Sequence, residues 1–214
     1  MKVLAIDTCL DACSVAVSDD GAILAAATQI MARGHQERLA PMVQQAMAEA
    51  AVGFDALDLV AVTIGPGSFT GLRVGLAFAK GLALALDIGC VGVGTLQGLA
   101  ASEGEAGFVA AAVDARRGQV YLQVFIDGQA VMAPDALEPN VAAARLAELW
   151  AGGPAVLVGS GAPLLQSVIP TARISAITAP DPTAVARIAL RQRAPYPPPR
   201  PLYLRAPDAK LPSR

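Results

Sequence analysis

The chain has 214 residues, 54% hydrophobic and 16% charged, long enough for one domain or two of about 100 residues, each able to bury a core. A formal net charge of −2 speaks against a protein that coats nucleic acid by itself. Lys80 and several glycines interrupt the best apolar run before it reaches the roughly 18 residues a membrane span needs, so the apolar surplus predicts a subunit interface.

Met1-Lys2 is followed by only four apolar residues before Asp7, too few for a secretory segment. Cys9, Cys13 and Cys90 have neither zinc-like nor redox spacing and read as small buried hydrophobes in a reducing, cytoplasmic setting. Val3 to Asp7 reads as a strand, Cys13 to Ser18 as its hairpin partner, and Ile23 to Ile30 as a third strand beyond the turn at Asp19-Asp20-Gly21. His35 to Ala51 then forms a helix with Leu39, Val43, Ala46 and Ala50 on one face and Met42 and Met47 off it. Leu59 to Ile64 is short and rich in Val, as a buried strand should be, and an Ala- and Leu-rich helix follows, ending near Leu86. A strand at Val91 to Val93 and a helix opening at Thr95 complete the order strand, strand, strand, helix, strand, helix, strand, helix.

The stretch between the fourth strand and the second helix is Gly65-Pro66-Gly67-Ser68-Phe69-Thr70-Gly71-Leu72-Arg73-Val74-Gly75. Its glycines permit a tight turn, Ser68 or Thr70 can cap the helix, and the helix start offers N–H groups to an anion with Arg73 one turn further in. It is not a Walker A loop, since no Gly-Lys-Ser/Thr follows. Gly71 comes one residue late for a dinucleotide fingerprint, and Pro66 and Thr70 stand where a nucleophile elbow needs glycine. A structural turn with a packing helix is therefore preferred to a phosphate cradle. Leu72, Leu76, Ala79, Ala83 and Leu86 make one apolar stripe on that helix, and Val74, Phe78, Leu82 and Ala85 another nearly opposite. A helix apolar on both sides must be covered on both sides, by its own domain or by another chain.

After Gly104 the order restarts. Phe108 to Asp114 and Gln119 to Ile126 read as paired strands, Asp127-Gly128 as a hairpin turn, and Ala130 to Met132 as a short third strand. Asn140 is expected to cap a helix over Val141 to Ala151. Ala155 to Val158 is a strand, Pro163 to Val168 a short helix, and Thr183 opens one running to Arg191. Asp7 and Asp114 each end a strand that leads into a second strand, an internal duplication of topology with its boundary near residues 102 to 107. The fold predicted is α/β, a two-lobed actin-like ATPase (ASKHA) architecture with duplicated βββαβαβα topology and a reduced second lobe. The lobes are residues 1–103 and 104–214. Pro195 to Pro201 should run as a strap, and Arg187, Arg191, Arg193, Arg200, Arg205, Lys210 and Arg214 make the last segment basic, a solvated face or a minor contact to a polyanion.

In that architecture the loops after the two aspartates grip nucleotide phosphates and a metal. Here Thr8 to Ala12 lacks glycine, and Ala115-Arg116-Arg117-Gly118 has one glycine beside two bulky cations. The residues placed to hold a nucleotide, weak candidates all, are Asp7, Thr8, Ser68 and Arg116. The single His35 has Leu39 where an i+4 metal ligand would stand, so no metal site is expected. His35 acting as a base beside Ser68 lacks an orienting carboxylate, and a capping role near the helix start is preferred.

Val3-Leu4-Ala5-Ile6-Asp7-Thr8, the run from Gly65 to Gly75, Lys80-Gly81-Leu82-Ala83, Asp114 to Gly118 with Val120-Tyr121, and Tyr203-Leu204-Arg205 together resemble the bacterial TsaB (YeaZ) family over nearly the whole chain. The resemblance implies a two-lobed chain that is not itself the catalyst and binds no cofactor alone. Its implied partner TsaD keeps the metal-binding histidines and the ATP site. With TsaE, and threonylcarbamoyl adenylate from TsaC, the assembly modifies the adenosine 3′ of the anticodon, tRNA being bound only in the complex. The resemblance also implies that the first two helices of the N-terminal lobe pack on TsaD as a four-helix bundle, with Leu39, Met42, Ala46, Arg73, Leu76, Phe78 and Lys80 at the interface. A homodimer through the same surface is implied when the chain is alone. Pro41 predicts that the first helix starts at or near it. Two other readings are an ATP-dependent kinase or transferase of the actin and hexokinase class acting alone, motivated by Asp7 and Asp114, and a serine peptidase using Ser68.

Overall fold

A computed structural model describes residues 1–104 and 106–205; Lys210 and Arg214 lie outside them. Two sheets carry the chain. The first has the order β3-β2-β1-β4-β5, built from β1 (Lys2–Asp7), β2 (Ala12–Asp19), β3 (Ala22–Ile30), β4 (Leu59–Thr63) and β5 (Gly89–Val93). β1, β2 and β3 pair antiparallel, while β4 joins β1 and β5 joins β4 in parallel. A four-residue loop, Thr8 to Asp11, joins the β1–β2 hairpin and a two-residue turn, Asp20-Gly21, the β2–β3 hairpin, whereas the parallel pairs need helical crossovers: α1 (His35–Glu49) precedes β4 and α2 (Phe69–Leu86) precedes β5.

The second sheet repeats the pattern. β6 (Phe108–Arg116) and β7 (Gln119–Ile126) form the hairpin and β8 (Gln129–Ala130) continues it. β10 (Ala155–Val158) and β11 (Arg173–Ile174) join on the parallel side. β9 (Asp135–Leu137) pairs with β7 as well. This duplicated βββαβαβα plan is the actin-like ATPase fold, and the second copy is reduced to short β8, β9 and β11 and a four-residue α5 (Ala162–Leu165).

The outer face of the first sheet packs on α1 and α2, where Leu4, Ile6, Val15, Val60 and Val62 meet Leu39, Val43, Leu72 and Leu76. The other face is closed by α6 (Pro182–Leu190), whose Val185, Ala186, Ile188 and Ala189 pack on Val3, Ala5, Leu59 and Ala61. Conversely, Leu96 and Leu99 of α3 (Thr95–Ser102) pack on Val109, Ala111 and Val158 of the second sheet. Each half thus lends its last helix toward the other. A cut that gives all of 104–214 to the second lobe is corrected accordingly, because α6 and the segment after it pack on the first. That segment is the expected strap: Tyr196 lies against Gly89, Pro199 against Gly92, and Leu202 N–H donates to Ile64 O at 2.7 Å.

Three further differences have local causes. α1 begins at His35 and runs through Pro41, which is exposed like Glu37, so the carbonyl freed by the missing N–H is left near water and the buried face holds the helix. That face is wider than predicted, because Met42 and Met47 are each only 2% exposed. α4 (Pro139–Leu149) starts one residue before Asn140, with Pro139 in its first turn and no side-chain cap. α2 alone among the described helices is long and apolar enough to cross a membrane, yet its inner face packs on β4 and Arg73 and Lys80 interrupt its outer one.

Candidate functional site

The turn after β4 is organised by close approach to the loop between β1 and β2. Ser68 N–H donates to Cys9 O at 2.7 Å, Ser68 Oγ caps α2 by accepting from Gly71 N at 3.2 Å, and Thr8 Oγ1 donates to Gly71 O at 2.7 Å. A Cβ at Gly67 would fall closer than 3.0 Å to Cys9 O, one at Gly71 equally close to Thr8 O, and one at Gly75 would lie 2.5 Å from Thr8 Oγ1. Gly71 and Gly75, four apart, share one face of α2, and with Gly67 just before the helix they form a trough into which Thr8 and Cys9 are laid. The run is a packing device, and the surface a phosphate would need against the glycines is taken by the chain itself.

Asp7 lies beneath this contact, fully buried. Its Oδ1 accepts from Thr63 Oγ1 at 2.6 Å and from Cys9 N at 3.1 Å, while Oδ2 has no partner among the described residues. Burial pushes its pKa up to about 6 against the opposing pull of the Thr63 hydroxyl. Asp114 is exposed instead, and its Oδ1 accepts from Arg116 N at 2.7 Å to close a turn in which Arg116 and Arg117 hold positive φ of 59° and 52°. The duplicated aspartates have parted, one into a core and one onto a solvent-facing turn with Arg116 beside it.

His35 is buried with Nε2 3.3 Å from Leu10 O and 3.2 Å from Ala12 O. Carbonyls only accept, so the proton sits on Nε2 and the ring ties α1 to the β1–β2 loop. This replaces the expected capping role, since the N-cap is Gly34 and lacks a side-chain bond. His35 and Ser68 both line a polar cleft of about 310 Å³, yet no hydrogen bond joins them among the described residues, and Ser68 Oγ is engaged by Gly71. Burial raises the Cys9 thiol to about 12 and Cys13 to about 11, leaving neither a thiolate nucleophile. No group of three or more potential metal ligands occurs among the described residues.

The other feature of this region is an apolar groove of about 510 Å³ between α1 and α2, with Leu39, Val74, Ala77 and Phe78 in its wall and Phe69 and Arg73 at one end. The expected interface residues divide here. Leu39, Met42, Ala46 and Leu76, the last 6% exposed, close into the core of their own lobe and are corrected to core positions, Leu39 also lining the groove. Phe78 is half-buried, because the lobe itself partly covers the Val74, Phe78 and Leu82 stripe; Arg73 and Lys80 are exposed. The bare stripe runs through Phe69, Arg73, Ala77, Lys80 and Leu84, with Leu84 84% exposed and Phe69 50%. Its spacing of four, four, three and four was available in the sequence, but two stripes of larger apolar residues hid it. Tyr203 was not foreseen there; its ring centroid lies 5.7 Å from that of Phe69.

Comparison with known proteins agrees with this architecture. Residues 26–157 match the family model for TsaD, tRNA N6-adenosine threonylcarbamoyltransferase. The Escherichia coli tRNA threonylcarbamoyladenosine biosynthesis protein TsaB is 41% identical over 124 residues, a segment covering 56% of this chain and about half of that protein, 53%. An uncharacterized protein of Mycobacterium tuberculosis is 36% identical over 211 residues, covering 97% of this chain and 93% of that one. The solved structure of YeaZ from Pseudomonas aeruginosa superposes with a TM-score of 0.79 at 31% identity, covering 95% of this chain and 99% of that chain. With the duplicated fold, the glycine run and these matches in agreement, the chain belongs to the TsaB (YeaZ) family.

Proposed function

We propose that this chain is a non-catalytic scaffold subunit of the machinery that installs threonylcarbamoyl on the adenosine 3′ of the anticodon in tRNA. It pairs through α1 and α2 with TsaD, which supplies the ATP site and metal, and it works with TsaE; tRNA is bound by the complex. The observation that carries the reading is the outer stripe of α2, where Leu84 and Phe69 stand exposed beside an apolar groove. Covering such a side chain fully stabilises a pair by about 1.5–3 kcal/mol, so alone the chain covers the stripe with a second copy. Three groups that could have served chemistry are used in packing instead, in keeping with this reading: Asp7 is sealed, Ser68 is a helix cap, and the glycine trough is filled by Thr8 and Cys9. The name of the E. coli relative supplies the pathway.

Analytical ultracentrifugation of the chain with and without purified TsaD tests the pairing. The expected result is a self-dimer that gives way to a one-to-one heterodimer. Two components sedimenting independently at micromolar concentration contradict it.

A further inference from the structure

The end of the strap reaches Arg73, the cation in the lining of the groove among the described residues. Arg73 Cζ sits 3.6 Å from the centre of the Phe69 ring, and Arg73 Nε donates to Tyr203 OH at 3.1 Å. Tyr203 is itself held by two anchors. Leu202 N–H donates to Ile64 O, and Arg205 Nη1 donates to Ala115 O of the second sheet at 3.0 Å. A guanidinium stacked on a ring and pinned through Nε has lost much of its rotamer freedom before any ligand arrives. Its two terminal amino groups have no ion-pair partner among the described residues, and they form the side of the fork that matches a carboxylate.

The charge of the helix points the same way. From Phe69 to Leu86, α2 carries Arg73 and Lys80 and no acidic residue, Asp87 following only as its C-cap, so its outer stripe is apolar with two cations that form no ion pair among the described residues. A surface of that composition is complemented by a helix that brings an apolar stripe and at least one carboxylate.

We propose that Phe69, Arg73 and Tyr203 form a preorganised carboxylate receptor at the rim of the α1–α2 groove. It takes an acidic side chain from the partner's helix, and the C-terminal strap completes it by supplying Tyr203. This rests on the pairing argued under the proposed function and adds what selects the partner. Tyr203 is then a positioning residue, acting through Arg73.

The test is the affinity of the full chain for TsaD, measured calorimetrically from low to high NaCl. The chain is compared with Arg73→Gln, Arg73→Lys, Tyr203→Phe and, as a charge control on α4, Arg145→Gln. Circular dichroism and melting temperature check folding. Arg73→Gln is expected to weaken binding roughly 10- to 100-fold and flatten the salt dependence. Arg73→Lys restores the salt dependence without the full affinity, Tyr203→Phe weakens binding severalfold with the charge intact, and Arg145→Gln changes nothing. Neutralising one acidic residue on the pairing helices of TsaD should reproduce the loss and be non-additive with Arg73→Gln. Wild-type binding that Arg73→Gln leaves unchanged, or losses that are additive with every neutralised acid, overturn the receptor while leaving the scaffold reading standing. No wild-type binding overturns both. A loss confined to self-association assigns the receptor to a second copy and overturns the choice of partner.

Discussion

Asp7→Asn should change how stability responds to pH, because a carboxyl group fully buried between β1 and β4 has a pKa of about 6, against 3.8 when unfolded. Below the unfolded value both states hold the proton and the group costs nothing. Between the two values the folded chain keeps a proton that the unfolded chain releases, so stability falls as pH rises, by about 1.4 kcal/mol per unit. Above about 6 the loss is complete, at about 3 kcal/mol. An amide at this position keeps an oxygen for Thr63 Oγ1 and Cys9 N but does not titrate, and its unpaired N–H₂ adds a cost that is constant with pH. Urea denaturation of both proteins from pH 4 to pH 8 isolates the effect as a difference, since titrating groups that do not interact with Asp7 cancel. The wild-type chain should lose about 2.4 kcal/mol relative to Asp7→Asn over that range, the first part of the full loss having occurred below pH 4. A difference that stays flat, or one in which the wild type gains with rising pH, refutes the assignment of Asp7 as a carboxyl group kept protonated by burial.

Gly71→Ala should destabilise by about 3 kcal/mol in thermal denaturation, because its Cβ has only the Thr8 backbone to displace. Gly81→Ala on the same helix, where beyond the helix's own backbone and the chain neighbours none of the described residues lies within 4 Å of the added methyl, should stabilise by about 0.5–1 kcal/mol. Leu76→Arg places a charge in the core and should leave little folded protein, whereas Leu84→Asp should shift stability by under about 1 kcal/mol and abolish self-association in ultracentrifugation. Ser68→Ala should cost about 1 kcal/mol through the lost cap, and neither it nor the wild type should react with a fluorophosphonate; labelling that depends on Ser68 revives the peptidase reading.

Element order was legible from the sequence because periodicity and turn chemistry both spoke clearly. Glycine and aspartate set the hairpin turns, and continuous Val- and Ala-rich runs marked β1, β4 and β6. β9 and β11, at three and two residues, are too short for any period to register, and they exist because β7 and β10 offer unpaired edges. The crossing of α3 and α6 toward the opposite sheets was invisible for another reason: an apolar helix face does not say which sheet it will meet. The same limit governs the surface. Met42 and Phe69 are equally apolar as letters, yet one closes the core and the other stands half exposed, a difference fixed by how β2 and β3 lie beneath α1 and β4 beneath α2. Tyr203 reaches Phe69 only because the strap doubles back across β5 and β4, 134 residues after Phe69 in the chain by the numbering.

The central claim is that this chain is required for the modification without performing its chemistry. Threonylcarbamoylation of tRNA rebuilt from purified TsaC, TsaD and TsaE, with and without this chain, tests it most directly, with nucleotide turnover by the chain alone measured in parallel. The account predicts modification only when the chain is present, a loss of that activity in Leu84→Asp, and no turnover by the chain alone. Full modification in its absence, or ATP hydrolysis or phosphoryl transfer by the isolated chain, contradicts it.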